Sequence, residues 1–187
     1  MVNESGLVEA GADSKQTTNP IFLEKNSIQV GAESEDVPKS IFRAYDIRGV
    51  VDETLTGPLV EKIGQAVGSE VKKAGKNRVV IGRDGRLHSL RLSESLAKGI
   101  QASGCDVIDV GQVPTPVLYF ATHFVDDATS GVMITGSHNP PEYNGLKIVI
   151  DGDTLSGDSI LELYERIQSN TYEEGDGAIE KLMILPD

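Results

Sequence analysis

Four short runs rich in β-branched residues, each bounded by Gly, Asp or Pro, constrain the fold of this chain more than any other feature. They cover residues 78–82 (RVVIG), 106–111 (DVIDVG), 131–135 (GVMIT) and 146–150 (LKIVI), and each reads as a buried strand. The segments around them have helical period. In residues 58–73, Leu59, Ile63, Val67 and Val71 fall four apart behind Pro58 at a first-turn position, with Gly75 beyond the end. In residues 89–103, Leu92, Leu96 and Ile100 share one face and Gly104 supplies a C-terminal cap. Residues 116–125 and 158–168 read as a third and a fourth helix, the last with Ile160, Leu163, Tyr164 and Ile167 on its inner side.

Parallel neighbours cannot be joined by tight hairpins, so strands separated by helical crossovers imply an α/β fold of three layers, α/β/α, around a mostly parallel mixed sheet. The ten residues from Gly136 to Gly145 are too few for a crossover helix, which makes the last of the four strands antiparallel. In an open sheet of this kind ligands collect at the carboxyl ends of the parallel strands, and the loop after GVMIT starts there. No internal repeat or low-complexity tract interrupts the pattern.

The chain has 187 residues, the length of one ordinary domain, and its 39 % hydrophobic content with 20 Gly is that of a chain that folds. The net charge of −12 is concentrated at the ends. Residues 1–40 hold three Lys and seven Asp or Glu, and residues 151–187 hold two Lys or Arg and ten Asp or Glu, whereas residues 41–150 are balanced. Acidic flanks without a basic, aromatic-studded stripe argue against nucleic acid or an anionic membrane as partner. The single Cys105 excludes an internal disulfide and suits a reducing compartment; with no apolar run of spanning length and no signal-like opening, a cytoplasmic protein is expected. Residues 1–37, rich in Glu, Ser, Asn and Gly, read as a flexible acidic tail, or as an arm docked through Ile21, Phe22 and Leu23. Residues 38–187 form the domain.

The loop Thr135-Gly136-Ser137-His138-Asn139-Pro140-Pro141-Glu142-Tyr143-Asn144-Gly145 admits two readings. Asn-Pro and Asn-Gly are strong turn dipeptides, so it can be no more than a connection. Alternatively Gly136 brings Ser137 to an open position where its hydroxyl carries a phosphoryl group, with His138, Asn139 and nearby amides facing the charge. The G-x-S-x-G elbow of hydrolases is absent, which argues against an independent serine hydrolase. Phosphoryl transfer needs cations and a group to move the hydroxyl proton, and Lys147, Arg43, Arg48, Arg83 and Arg86 are available. Lys147, between Leu146 and Ile148, is either an edge-strand lysine or a charge that meets an anion. An ordinary lysine, with a pKa of about 10.4, is a poor base at neutral pH, so a catalytic Lys147 requires a cation such as Arg48 nearby. Residues 82–86 (GRDGR) read as a turn with surface ion pairs or as a phosphate or interface contact; His88 and His123 read as ordinary surface or half-buried residues, and Cys105 as core.

Phe42-Arg43-Ala44-Tyr45-Asp46-Ile47-Arg48-Gly49, followed by Thr135-Gly136-Ser137-His138-Asn139-Pro140 and by Asn144-Gly145-Leu146-Lys147, resembles the α-D-phosphohexomutase superfamily, closest to its bacterial phosphomannomutase/phosphoglucomutase group. Phosphoglucosamine mutases resemble it less, since their opening motif and serine loop differ from those here. The resemblance implies the first of four domains, and an isomerase that interconverts hexose 1-phosphate and hexose 6-phosphate through a 1,6-bisphosphate. It makes Ser137 the phosphoserine, whose phosphate is one ligand of Mg²⁺. Lys147 and Arg48 would assist proton transfer and charge stabilisation, His138 and Asn139 would support the phosphoserine, with Asn139 beside the substrate, and Tyr45 would shape the sugar site. Glucose 1,6-bisphosphate would be the activator and hexose phosphates the substrates.

The resemblance covers residues 38–187. The D-x-D-x-D-R metal loop of the family's second domain has only Asp151-Gly152-Asp153 as a partial counterpart, and the sugar-selecting and phosphate-clamping loops of the third and fourth have none. Domains II–IV are therefore expected as partners, and the chain alone is expected to be inactive. The alternative is a stand-alone, non-catalytic domain that binds a partner.

Overall fold

The protein is described here by a computed structural model covering residues 37–184. The tail read over residues 1–37 lies outside these residues except for Val37, which is only 6 % exposed and belongs to the core.

The strands are β1 (Ile47–Val50), β2 (Arg78–Arg83), β3 (Asp106–Gln112), β4 (Ser130–Ile134), β5 (Tyr143–Ile150), β6 (Asp153–Thr154) and β7 (Ile179–Lys181). The helices are α1 (Gly57–Lys73), α2 (Ser89–Ala102), α3 (Thr115–Phe124) and α4 (Asp158–Ser169). The sheet order is β1-β5-β4-β2-β3-β7, with β6 paired to β5. Pairing is parallel between β2 and β3, β2 and β4, and β3 and β7. It is antiparallel wherever β5 takes part, so among the described strands β5 alone runs against the rest. The mixed, mostly parallel sheet and the reversed fourth run are as expected. β1, β6 and β7 are additions: they are two to four residues long, too short for a period-2 pattern to register.

The helices form where apolar spacing places them. Leu59, Ile63, Val67 and Val71 of α1 are buried, as are Leu92, Leu96 and Ile100 of α2 and Ile160, Leu163 and Ile167 of α4. Thr56 caps α1 by accepting the Leu59 N–H at 3.3 Å, and α4 ends on Asn170 in the left-handed region, a role Gly usually fills. α1, α2 and α4 cover one face of the sheet, packing on Val79, Ile81, Val132, Ile134, Leu146 and Ile148. α1 and α2 approach so closely that a Cβ on Gly99 would stand 1.9 Å from the Glu61 carbonyl oxygen.

The opposite face carries α3, packed over Val80, Ile108, Val110 and Met133. Successive side chains alternate across a strand, so Lys147, paired with Met133 and flanked by the inward Leu146 and Ile148, lies on the α3 face. α3 packs mainly against β2 and β4 rather than β5 or β1, and this part of the sheet face is open to charged side chains. Burial beneath α3 would have forbidden them.

Candidate functional site

The polar loop joins β4 to β5 at the carboxyl end of β4. Its conformation is held by its own side chains. Thr135 Oγ1 accepts the Ser137 N–H at 3.0 Å, and the Gly136 carbonyl accepts both the backbone N–H and the side-chain amide of Asn139, at 3.0 and 2.8 Å. Ser137 sits at φ +50°, unusual for a residue with a Cβ. Its side chain is exposed, and its hydroxyl takes no hydrogen bond from the described residues. His138 is exposed as well.

β1 supplies the first cation. Arg48 pairs in register with Gly145 of β5, two residues from Lys147, so both cations lie on one sheet face. Arg48 Nη1 donates to Asn139 Oδ1 at 3.2 Å, while Nη2 meets Asp46 Oδ2 at 2.5 Å. Lys147 Nζ stands 3.8 Å from the same carboxylate oxygen. Asp46 is 8 % exposed and therefore depends on these two cations for compensation. A continuous polar chain runs from Lys147 through Asp46 and Arg48 to Asn139, two residues past Ser137. On the sequence a catalytic Lys147 requires a cation such as Arg48 nearby; the structure adds Asp46, an anion, in contact with both. β5 lies between β1 and β4, which excludes the edge-strand reading of Lys147. Tyr45 and Arg43 are exposed in the turn before β1, Tyr45 at 75 %.

β2 supplies the floor. It lies beside β4, so Asp84, one residue past its end, reaches the loop, and Asp84 Oδ2 accepts the Gly136 N–H at 2.9 Å. Oδ1 accepts the Ser89 hydroxyl at 2.5 Å and the Arg86 N–H at 3.1 Å. Burial raises the Asp84 pKa, but hydrogen bonds from Ser89, Gly136, Arg86 and Thr135 outweigh it and hold the carboxyl below its ordinary value. Arg86 donates to the carbonyls of Pro140 and Tyr143 at 2.6 and 3.0 Å, and to those of Asn139 and Ser137 at 2.6 and 3.4 Å. Residues 82–86 are thus a brace for the serine loop rather than a turn with surface ion pairs. Arg83 turns away, to Gln112 Oε1 at 3.3 Å.

Asn144 and His88 complete the frame. Asn144, expected to turn the chain with Gly145, is instead fully buried inside β5 and donates to Ser89 Oγ at 2.9 Å. Gly145 is needed for close approach, since a Cβ there would lie 2.5 Å from the Ile47 carbonyl oxygen. His88 is half-buried, with Nδ1 2.9 Å from Asn144 Nδ2 and Nε2 3.0 Å from the Pro141 carbonyl oxygen. An amide nitrogen only donates and a carbonyl only accepts, which assigns the proton to Nε2. Cys105 is buried and free, and burial raises its thiol pKa.

Asp46, Asp84, Ser89 and Asn144 were missed as site residues by sequence reasoning. The signal available was position: Asp84 follows a strand end, as Gly136 does, but nothing local shows that those two strands are neighbours. Among the described residues no group of three or more His, Cys, Asp or Glu could hold a metal. Both oxygens of the one carboxylate bonded to the loop backbone, Asp84, are already engaged. These residues do not fit a complete Mg²⁺ centre. No described helix is long and apolar enough to cross a membrane.

A three-layer domain with a serine-bearing polar loop at the carboxyl edge of its sheet is of the open-sheet α/β class, whose ligands bind at that edge. Residues 39–174 match the family of phosphoglucomutase/phosphomannomutase, alpha/beta/alpha domain I, and the chain belongs to that family. It is 52 % identical over 155 residues to a phosphomannomutase/phosphoglucomutase of Pseudomonas aeruginosa, covering 83 % of this chain and 33 % of that protein. It is 45 % identical over 141 residues to a phosphoglucomutase of Neisseria meningitidis, covering 75 % of this chain and 30 % of the other. A crystal structure of a phosphoglucomutase/phosphomannomutase family protein from Burkholderia thailandensis superposes with a TM-score of 0.76 at 46 % identity, over 79 % of this chain and 34 % of that one. The chain spans about a third of the length of the curated relatives it matches.

Proposed function

We propose that this chain is the phosphoserine-bearing first domain of a phosphomannomutase/phosphoglucomutase. In this reading Ser137 passes a phosphoryl group to a hexose phosphate and recovers it from the 1,6-bisphosphate so formed. The supporting observation is the exposed Ser137 hydroxyl on a braced loop, with Arg48 tied to the same loop and sharing Asp46 with Lys147.

In the forward step the bond between phosphorus and Ser137 Oγ breaks, and one forms between phosphorus and a sugar hydroxyl oxygen. The sugar hydroxyl gives up a proton and the serine oxygen regains one. Arg48 and Lys147 offset the charge spread over the phosphoryl oxygens, which is the main catalytic demand of such a transfer. Lys147 is the group assigned to move the proton. His138 and Asn139 support the phosphoserine, and the exposed Tyr45 ring forms part of the sugar site. Mg²⁺, with Ser137 phosphate as one ligand, and glucose 1,6-bisphosphate as activator belong to the same proposal, together with further domains as partners and a cytoplasmic location. The metal would offset phosphate charge; its other ligands lie outside the described residues.

The test places this chain in the matching third of the Pseudomonas aeruginosa relative and incubates the chimaera with glucose 1,6-bisphosphate and Mg²⁺. Intact mass and phosphopeptide analysis should find one phosphoryl group, on Ser137. Phosphate on another residue, or mutase turnover that survives Ser137→Ala, would overturn the proposal.

A further inference from the structure

The Arg86 guanidinium is spent entirely on the serine loop. Its four Nη hydrogens serve the carbonyls of Ser137, Asn139, Pro140 and Tyr143, and Nε faces Asp84 Oδ2 at 3.6 Å. No Nη donor remains for a phosphate, and Nε stands beside a carboxylate. The group also fills the space beneath Gly136: a Cβ there would stand 2.0 Å from Arg86 Nε and 2.1 Å from Cζ. Asp84 completes the arrangement, gripping the Gly136 N–H with one oxygen and the Arg86 N–H with the other. Glycine at 136 and arginine at 86 are thus matched parts of one contact. The residue that follows, Ser137, is held in the left-handed region that a residue with a Cβ seldom adopts unaided.

We propose that Arg86, seated by Asp84, is a positioning residue: it fixes the direction of the Ser137 hydroxyl, and its loss slows phosphoryl transfer without changing how tightly the phosphate donor binds. This rests on the assignment of Ser137 given above. Arg86, counted among the available cations on sequence grounds, is excluded as a phosphate ligand by the same geometry. Lysine cannot replace it, because an ammonium offers three donors from one point where four carbonyls in a fork-shaped array must be met.

Two measurements on Arg86→Lys test the inference separately from the serine assignment. In this chain, amide hydrogen exchange at Gly136 and Asn139 should accelerate about tenfold or more, with the amides of β2 and β4 unchanged. In the chimaera, the rate of phosphoryl transfer from glucose 1,6-bisphosphate to Ser137 should fall about tenfold or more, with the half-saturating donor concentration within about twofold. Unchanged loop exchange, or loosening spread evenly through the domain, overturns the bracing role. A parent chimaera that takes no phosphate on Ser137 overturns the serine assignment and the catalytic half of this inference, while the exchange result still decides the bracing. If Arg86→Lys does not fold, Gly136→Ala gives a second route, since its Cβ displaces the guanidinium. Added to Arg86→Gln, it should cost less than about twofold more in transfer rate. Effects that multiply in full would mean the two residues act independently, and would sink the proposal.

Discussion

Arg48 and Asn139, 91 positions apart in the sequence, are joined by a hydrogen bond of 3.2 Å from the guanidinium to the side-chain amide oxygen. This bond couples the strand that carries Arg48 to the loop that carries Ser137. Asn139 in turn donates to the Gly136 carbonyl, so a displacement of β1 reaches the residue just before the serine.

Under the proposed function, Ser137→Ala removes the hydroxyl assigned to carry the phosphoryl group. In the chimaera, mutase turnover should fall by about 10³-fold or more, in line with the loss of a nucleophile, while circular dichroism and melting temperature stay near those of the parent. Steady-state kinetics and a thermal melt check both parts.

Asp46→Asn should separate the two cations from their shared anion. Arg48 and Lys147 would lose the carboxylate that seats them, and leaving charged groups without a partner costs more than the pair itself contributes. The expected outcome is a kcat lowered about tenfold or more, with Arg48→Lys behaving similarly because the fork between Asp46 and Asn139 is lost. Unchanged kcat in both variants would contradict the coupling.

Asp84→Asn should alter the pH dependence of stability. The Asp84 carboxyl titrates below its ordinary value, so it contributes stability that is present above the unfolded-chain value of about 3.9 and is lost as pH falls through its own lower pKa. At neutral pH the variant should be less stable by about 1–3 kcal/mol, because an amide cannot accept at every contact that the carboxylate now satisfies. The gap between the two proteins should narrow toward acid pH. Urea unfolding midpoints at pH 7 and at acid pH measure it.

Leu96→Ala and Gly99→Val test the packing of α2 in opposite senses. Leu96 is fully buried, and its truncation should cost about 2–5 kcal/mol in urea unfolding. Gly99 lies against the α1 backbone, where valine can be admitted only if the helices separate; the expected cost is about 1–3 kcal/mol or more.

The helices were legible because their apolar residues recur every four positions, and the buried faces of α1, α2 and α4 are those the spacing marks. The antiparallel course of β5 was legible from the shortness of the loop before it. Ser137 and Asn139 were singled out by the polar loop and Arg48 and Lys147 by the demand for cations, and the motif resemblance gave them roles, whereas Asp46 and Asp84 were passed over. Both are acidic residues in segments where Arg is the more conspicuous member, and their importance comes from contacts with distant residues, which local composition does not report. Asn144-Gly145 admitted a turn reading because the pair has the right chemistry for one; pairing with β1, almost a hundred positions away, makes it a strand instead.

By itself the chain's order of residues determined the repeating α/β units, the apolar faces and the serine-bearing loop at a strand end, since each depends on neighbours within a few positions. The tertiary structure alone decided that β5 lies between β1 and β4, bringing Asp46, Arg48 and Lys147 together, and that β2 lies beside β4, setting Asp84 and Arg86 under Gly136. Strand order follows from long-range pairing and from which face each helix covers, and those are properties of the assembled sheet.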